Sequence, residues 1–576
     1  MTTTTIEPSP RQRAFSAVPW LVFAAYCFIT IAFLWPLARD PAHQVIPNED
    51  VYGNAWALAW VVHQVTTAPL HLFEANVFFP VPSSLAYTEP LLPQALQGAP
   101  VLLLGGSPLL AHNLLLLSSF PLAAFGAYLL ARELSGPGPG AFLSGIGYGF
   151  CVYRFEHLVH LQSLSMQWLP LALLFARRVA LRGRRRDTVL LAVFSLLQAL
   201  SSGYYAIVLA LALVVTVAFC WRPALRAHTL RGLLLGLAIV ASLSVVVFLP
   251  YRAAMKRESE VRGYAVMRSP EEMIHWSATW GSYLDPGPNA ELPLHRRMHA
   301  LFGRGEALFP TATIALLALV GIARGFRESS VRFLIVLTLA GVLFSLGPRM
   351  SLFGVVVHGP LDAIRQLPGV SSLRTPSRFG VLAILGFNLL AAFGWRAVGR
   401  VKYGRLLAGL AVCVLLVEVD PGSRRLLFRA DPAFPPTVDW LASASRGPVL
   451  ELPWDHETMS FGGRYIYWST RHWQQMVNGW GGFYPKGPFE LGVLGKLFPS
   501  GYSSRELRRA GVKYVVIHLD SLPAPRRARI TATTELPEGV TLAGDLGPHR
   551  IYEIDPAGRM EGARGIGGVA PGASSR

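Results

Sequence analysis

Charged residues are scarce in this chain: they fill 15% of its 576 positions, against about 25% in an ordinary soluble protein. That shortage excludes a wholly water-soluble enzyme. Cysteine is nearly absent. The four present, Cys27, Cys151, Cys220 and Cys413, all fall in apolar stretches, so no disulfide is expected in the polar C-terminal part, whatever the redox compartment. Acid is short relative to base, with 34 Asp and Glu against 52 Lys and Arg and a formal net charge of +18. The arginines gather between hydrophobic runs and not on one basic domain, so the excess reads as membrane topology and not as a nucleic-acid surface. Ionisable groups are also sparse inside the apolar runs. Ion-coupled transporters keep carboxylates near the bilayer midplane and often show repeated halves. Neither feature is found here.

What is present is apolar: 52% of the residues are hydrophobic and the mean hydropathy is +0.39. A hydrocarbon layer about 30 Å thick asks for helices of about 17–25 apolar residues. Such stretches occur at roughly 17–38, 108–132, 138–153, 164–180, 188–203, 204–221, 232–250, 309–324, 332–347, 378–397 and 405–419. Arg11 and Arg13 precede the first, and the absence of a small-residue cleavage site makes it an uncleaved anchor with its N-terminus inside. The connections after the fourth, sixth, eighth and tenth stretches are basic, with Arg177, Arg178, Arg182 and Arg184–Arg186 in the fourth alone. All four then fall on the cytoplasmic side, as the positive-inside rule demands. An odd number of spans puts the C-terminus outside.

The stretch 89–106 is short and proline-broken, and counting it would invert every later basic loop, so it reads as an interfacial helix. Residues 53–67 read as a second one, with Trp56 and Trp60 on one face. The first outer loop thus runs over 39–107, with further outer loops at 251–308 and 348–377. From about 420 the composition turns to Asp, Gly, Pro and aromatics. A helix precedes the strand 449–452, a basic helix ending at Gly511 precedes the strand 514–519, and HRIYEID closes the pattern. The sequence therefore predicts a cytoplasmic tail over 1–16, an all-α polytopic membrane bundle of about eleven transmembrane helices over 17–419, and a small extracytoplasmic α/β domain over 420–556. The Gly-, Ala- and Arg-rich tail 557–576 is expected to be disordered.

Four polar clusters stand at the outer mouths of the helices. Glu49-Asp50 opens the first outer loop; a carboxylate there suits a general base or a divalent-cation ligand, and equally a helix N-cap. Glu74, Asn76 and Glu89 follow in the same loop, with Glu89 either a second site carboxylate or an acid at a helix N-terminus. The hairpin YRFEHLVHLQ places Glu156, His157, His160 and Gln162 on neighbouring helical positions, suiting either a polar pocket or hydrogen bonds to lipid and water; its H-x-x-H alone is weak evidence for metal. The loop SSLRTPSRFG, with Arg349 and Arg365 upstream, is basic on the outer side through Arg374 and Arg378. Arginine forks fit phosphate oxygens; lipid headgroups or the outer domain would serve as partners too.

This layout resembles the polytopic glycosyltransferases of the GT-C class, and more specifically a bacterial group of YfhO type. The resemblance rests on Asp50-Val-Tyr-Gly-Asn54-Ala-Trp56 after the first span, His160-Leu161-Gln162 in the hairpin, Arg374-Thr-Pro376-Ser-Arg378-Phe379, and the turn Asn478-Gly479-Trp480. It covers most of the chain in layout, through short motifs. It implies transfer of a sugar from a polyprenyl-phosphate-linked donor on the outer face to an envelope lipid, glycan or protein. Asp50 would be the base, with Glu49 or Glu89 assisting or holding a divalent cation. Arg374 and Arg378 would bind the donor phosphate, and Asn54, His157, His160 and Gln162 would line the substrate pocket. No tryptophan-rich acceptor motif of the oligosaccharyltransferase kind accompanies them, so asparagine glycosylation is not implied. Two other classes stay open on sequence: a transporter or flippase for lipid-linked sugars, which needs a polar path across the membrane, and a scaffold for envelope assembly, which needs no convergence of these clusters.

Overall fold

The computed structural model describes residues 17–555 apart from 221–226, 265, 267, 353, 368, 421, 423–427, 432 and 455–460. The tails 1–16 and 557–576 and the basic residues Arg11, Arg13, Arg222 and Arg226 lie outside the described residues. The chain divides into two compact units, residues 1–73 with 85–432, and residues 74–84 with 433–576.

The first unit is helical. A helix occupies each of the eleven apolar stretches: α1 (Val18–Phe33), then, after α2 (Glu49–Thr67) and α3 (Leu92–Leu103), α4 (Pro108–Ser135), α5 (Pro139–Gly149), α6 (Trp168–Arg182), α7 (Arg185–Ser201), α8 (Gly203–Cys220), α9 (Ala227–Arg262), α10 (Ala312–Gly325), α11 (Ser329–Ser345), α12 (Gly380–Val398) and α13 (Gly404–Glu418). Three segments among the described residues are long and apolar enough to cross a membrane: Pro108–Ser135, Ala238–Arg262 and Pro376–Val398. Local chemistry sets their ends. Ser107 caps α4 by accepting from Leu110 N–H, Pro108 opens it, and Gly136 at φ +92° closes it.

Small residues let the helices approach closely. A Cβ on Gly321 of α10 would meet Leu390 O of α12, and one on Gly394 of α12 would meet Leu317 O of α10. A Cβ on Gly140 of α5 would also crowd Ala392 and Trp395 of α12. α2 and α3 pack against α4. Trp56 and Trp60 stack on each other and are 0% and 5% exposed, so these indoles face protein. Buried Gln94 of α3 donates to Ser165 Oγ and Ser201 O, while Leu96 and Leu103 on the same helix are exposed. Cys27, Cys151 and Cys413 are free thiols.

The second unit holds a four-stranded sheet: β1 (Val449–Leu452), β2 (Tyr514–His518), β3 (Val540–Asp545) and β4 (His549–Ile554), in the order β1-β2-β4-β3. β1 and β2 run parallel and the other pairs antiparallel. The first two are buried throughout, which suits their apolar runs VLEL and YVVIH. The helix Gly501–Arg509 feeds β2 through Gly511 at φ +84°.

The boundary differs from the sequence expectation in two ways. It falls at 433 and not 420, because Arg429–Ala430 pairs with Gln44–Val45 and keeps that stretch in the helical unit. Residues 74–84, expected in the first outer loop, belong to the second unit. Main-chain hydrogen bonds hold them there, from Phe78 N–H to Asn478 O (3.1 Å), from Phe79 N–H to Met476 O (2.9 Å) and from Met476 N–H to Asn76 O (2.8 Å). The Asn478-Gly479 turn is shaped for this: Asn478 bridges the backbone N–H and C=O of Glu451 in β1, and a Cβ on Gly479 would collide with the Phe78 ring.

Candidate active site

The helical unit builds one polar cluster from four separate segments. The first is the start of α2. Asn48 is its N-cap, its Oδ1 accepting from Asp50 N–H at 2.8 Å, and Glu49 and Asp50 fill the acidic first turn. The cap therefore does not fall on Asp50, whose Oδ2 stands 3.2 Å from His160 Nε2. One turn on, Asn54 Nδ2 donates to Val159 O at 3.2 Å. Residues four apart share a helix face, so Asp50 and Asn54 together clasp the hairpin 153–162. Glu49, one residue away, projects about 100° around the helix from Asp50.

The hairpin is the second segment. It is not one continuous helix. Helical turns at Val152–Glu156 and Leu161–Leu164 flank a tight turn closed by His160 N–H on His157 O. Both histidines leave the helix there, and their rings lie 5.4 Å apart. His157 Nδ1 is 2.8 Å from Tyr153 O and its Nε2 is 2.8 Å from Glu306 Oε1. Gln162 Oε1 is buried with no hydrogen-bond partner, and His160 Nδ1 is likewise unpartnered.

Glu306 supplies the third segment, just before α10. Burial by itself would raise its carboxyl, but the charge and hydrogen bond of His157, the Ser377 hydroxyl and the Arg378 guanidinium outweigh it and hold the carboxyl down at about 2. Ser377 and Arg378 come from the fourth segment, Pro376–Phe379. Arg378 lies over the Tyr204 ring, 4.2 Å from its centroid.

Glu89, on the first loop, lies within electrostatic reach of the same arginine. Burial raises its carboxyl, and Arg378, the Ser202 hydroxyl at 3.4 Å, His160 and Gly203 N–H oppose that rise. Its Oε2 has no partner. Glu156 feels the charges of both Asp285 and Glu306. Burial first, then repulsion from Asp285 and Glu306, push its carboxyl up to about 7.

Of the residues singled out in the sequence, Asp50, Asn54, Glu89, His157, His160 and Arg378 thus come together. Arg374 stands outside them. It is exposed, with Nε 3.3 Å from Glu272 Oε1 and its guanidinium 4.8 Å from the Trp276 centroid; only its backbone N–H reaches inward, to Tyr204 Oη at 2.9 Å. Glu306 and Tyr204 were missed. Glu306 is a lone acid at the mouth of a predicted span, and Tyr204 opens another as part of an aromatic pair, which are the signals that would have found them. Among the described residues no three His, Cys, Asp or Glu side chains gather as a metal-ligand set.

No family model matches the chain, and no curated protein matches it. Its fold is similar to that of solved structures. One is the arabinofuranosyltransferase AftD from Mycobacteria, at 16% identity and a TM-score of 0.59, over 94% of this chain and 40% of that one. Another is the apo oligosaccharyltransferase of Archaeoglobus fulgidus, at 11% identity and a TM-score of 0.50, over 88% of this chain and 70% of that one. The chain thus spans less than half the length of the arabinofuranosyltransferase. At such identities the likeness concerns the fold alone.

Proposed function

We propose that the protein is a membrane glycosyltransferase that moves a sugar from a polyprenyl-phosphate-linked donor to an envelope lipid, glycan or protein on the outer face of the cytoplasmic membrane. The observation that carries this reading is the meeting of Asp50 and His160 with Glu89, Arg378 and Glu306 in one cluster. Carboxylates beside an arginine provide both halves of a glycosyl transfer. Asp50 takes the proton of an acceptor hydroxyl as that oxygen bonds to the anomeric carbon. The bond from that carbon to the donor phosphate breaks, the electron pair leaves with the phosphate, and Arg378 stabilises its charge. Arg374, at the exposed edge, meets the phosphate on entry. His160 orients Asp50, while Asn54, His157 and Gln162 shape the acceptor and sugar pocket.

The eleven helices are read as spans with the N-terminus cytoplasmic and the second unit extracytoplasmic. The arginine-rich connections after α6, α10 and α12 support that orientation. Asp50→Asn should abolish transfer while protein abundance is unchanged, and lipids extracted from cells lacking the protein should accumulate a polyprenyl-phosphate sugar. Undiminished transfer by Asp50→Asn would remove the base assignment.

A further inference from the structure

Between α11 and α12 the chain forms a two-stranded antiparallel ribbon, Arg349–Leu352 with Val355–His358, paired from Arg349↔His358 at its base to Leu352↔Val355 at its tip. Val355 and Val356 are 62% and 67% exposed. A lone hairpin is marginal in water, and edge strands that face water are ordinarily blunted by charge or proline. This ribbon carries neither on its outer half. Its only charged or titratable side chains, Arg349 and His358, are paired at the base, where Asp362 accepts from His358 and also meets Arg365. Base and tip are three residues apart, about 10 Å at the rise of a strand.

Polarity is therefore sorted along the ribbon, as it is along the normal of a bilayer surface: an arginine and a histidine at one level, apolar groups about 10 Å further, close to the 5–10 Å depth that interfacial segments reach. Trp280 fits the same layering. It is 46% exposed and donates its indole N–H to Ser351 O at 2.7 Å, midway along the ribbon, and tryptophan favours the headgroup boundary. The ribbon starts four residues after α11 ends at Ser345, so it cannot stand more than about 14 Å from that helix end.

We propose that this ribbon is a lipid-inserting element: its tip enters the acyl boundary of the bilayer beside α11, and Arg349 and His358 sit among lipid phosphates. The proposal rests on the membrane reading above but not on the glycosyl-transfer reading.

The test uses the full chain with its four cysteines replaced by alanine and single labels at Val356→Cys or Val355→Cys, reconstituted in phosphatidylcholine–phosphatidylglycerol vesicles. References are Leu114→Cys on the exposed side of α4 and Thr541→Cys on exposed β3. Labels at 355 and 356 should lose emission to brominated lipid, as the label at 114 does, and resist aqueous iodide, while the label at 541 does the reverse. Ribbon labels that behave like 541 while 114 is quenched by lipid overturn the insertion and leave the membrane reading standing. Labels shielded from both quenchers mean that protein covers the ribbon, which also overturns it. If 114 itself reports water, the membrane reading falls and the insertion with it.

Discussion

His157 Nε2 stands 2.8 Å from Glu306 Oε1, a contact between residues almost 150 positions apart that ties the hairpin after α5 to the loop before α10. Through Glu306 the hairpin also reaches Ser377 and Arg378. The cluster is thus held by contacts between its own side chains.

Glu306→Gln should lower the thermal stability of the protein, with a pH signature. The carboxyl ordinarily titrates near 4.5 and is held at about 2 in the fold. Its stabilising share is therefore complete above 4.5 and is lost as pH falls toward 2. The gap in Tm between wild type and variant in detergent should be wide above pH 4.5 and shrink below it; a gap that does not change with pH would contradict the lowered Glu306 carboxyl.

Glu156 should behave in the opposite sense. Its carboxyl is raised to about 7 by burial and by Asp285, so ionising it opposes folding once pH exceeds 4.5. Glu156→Gln should leave Tm unchanged at pH 4 and raise it at pH 8. A fall in Tm at pH 8 would show that the carboxylate has a partner that stabilises its charge.

Arg378→Lys keeps the charge but loses the planar stacking on Tyr204 and the fork that suits a phosphate. Transfer should drop by about 10²–10³-fold, the scale of a lost transition-state donor. Arg374→Lys, at the exposed edge, should act mainly on the apparent KM for the lipid donor. Steady-state kinetics with purified protein separate the two.

His160→Gln should lower kcat by up to about a hundredfold, the low end of what a general base contributes, and leave melting nearly unchanged, because the ring and Asp50 are each about one-third exposed. An unchanged kcat would detach His160 from Asp50.

In the second unit, Asn478→Ala removes both bonds to the Glu451 backbone, at 2.8 and 2.9 Å and fully buried. Stranding two buried backbone groups costs about 1–3 kcal/mol each. Protease digestion should become faster within 433–555 while the helical unit resists as before.

The helices were legible because their signal is local. Apolar runs of the right length, Ser107 before Pro108, and the Gly511 stop each lie within a few residues of what they control. The chain also displayed Asp50, Asn54, Glu89, His157, His160 and Arg378 as polar residues at helix mouths, where apolar neighbours make them conspicuous. What it could not display was who faces whom. Glu306 and Tyr204 carry no motif; they matter because the loop before α10 and the start of α8 bring them to Arg378.

The same limit explains Arg374, which the motif spacing groups with Arg378 but which turns to Glu272 and Trp276. It also explains residues 74–84, read as loop because their hydrogen-bond partners lie almost 400 positions away. Sequence by itself determined the apolar helices, three of the four strands after the bundle and the polar composition of the helix mouths, since each follows from local hydropathy and caps. Only the tertiary structure decided the cluster and the unit boundary, since both are made by long-range contacts that leave no periodic trace in the chain.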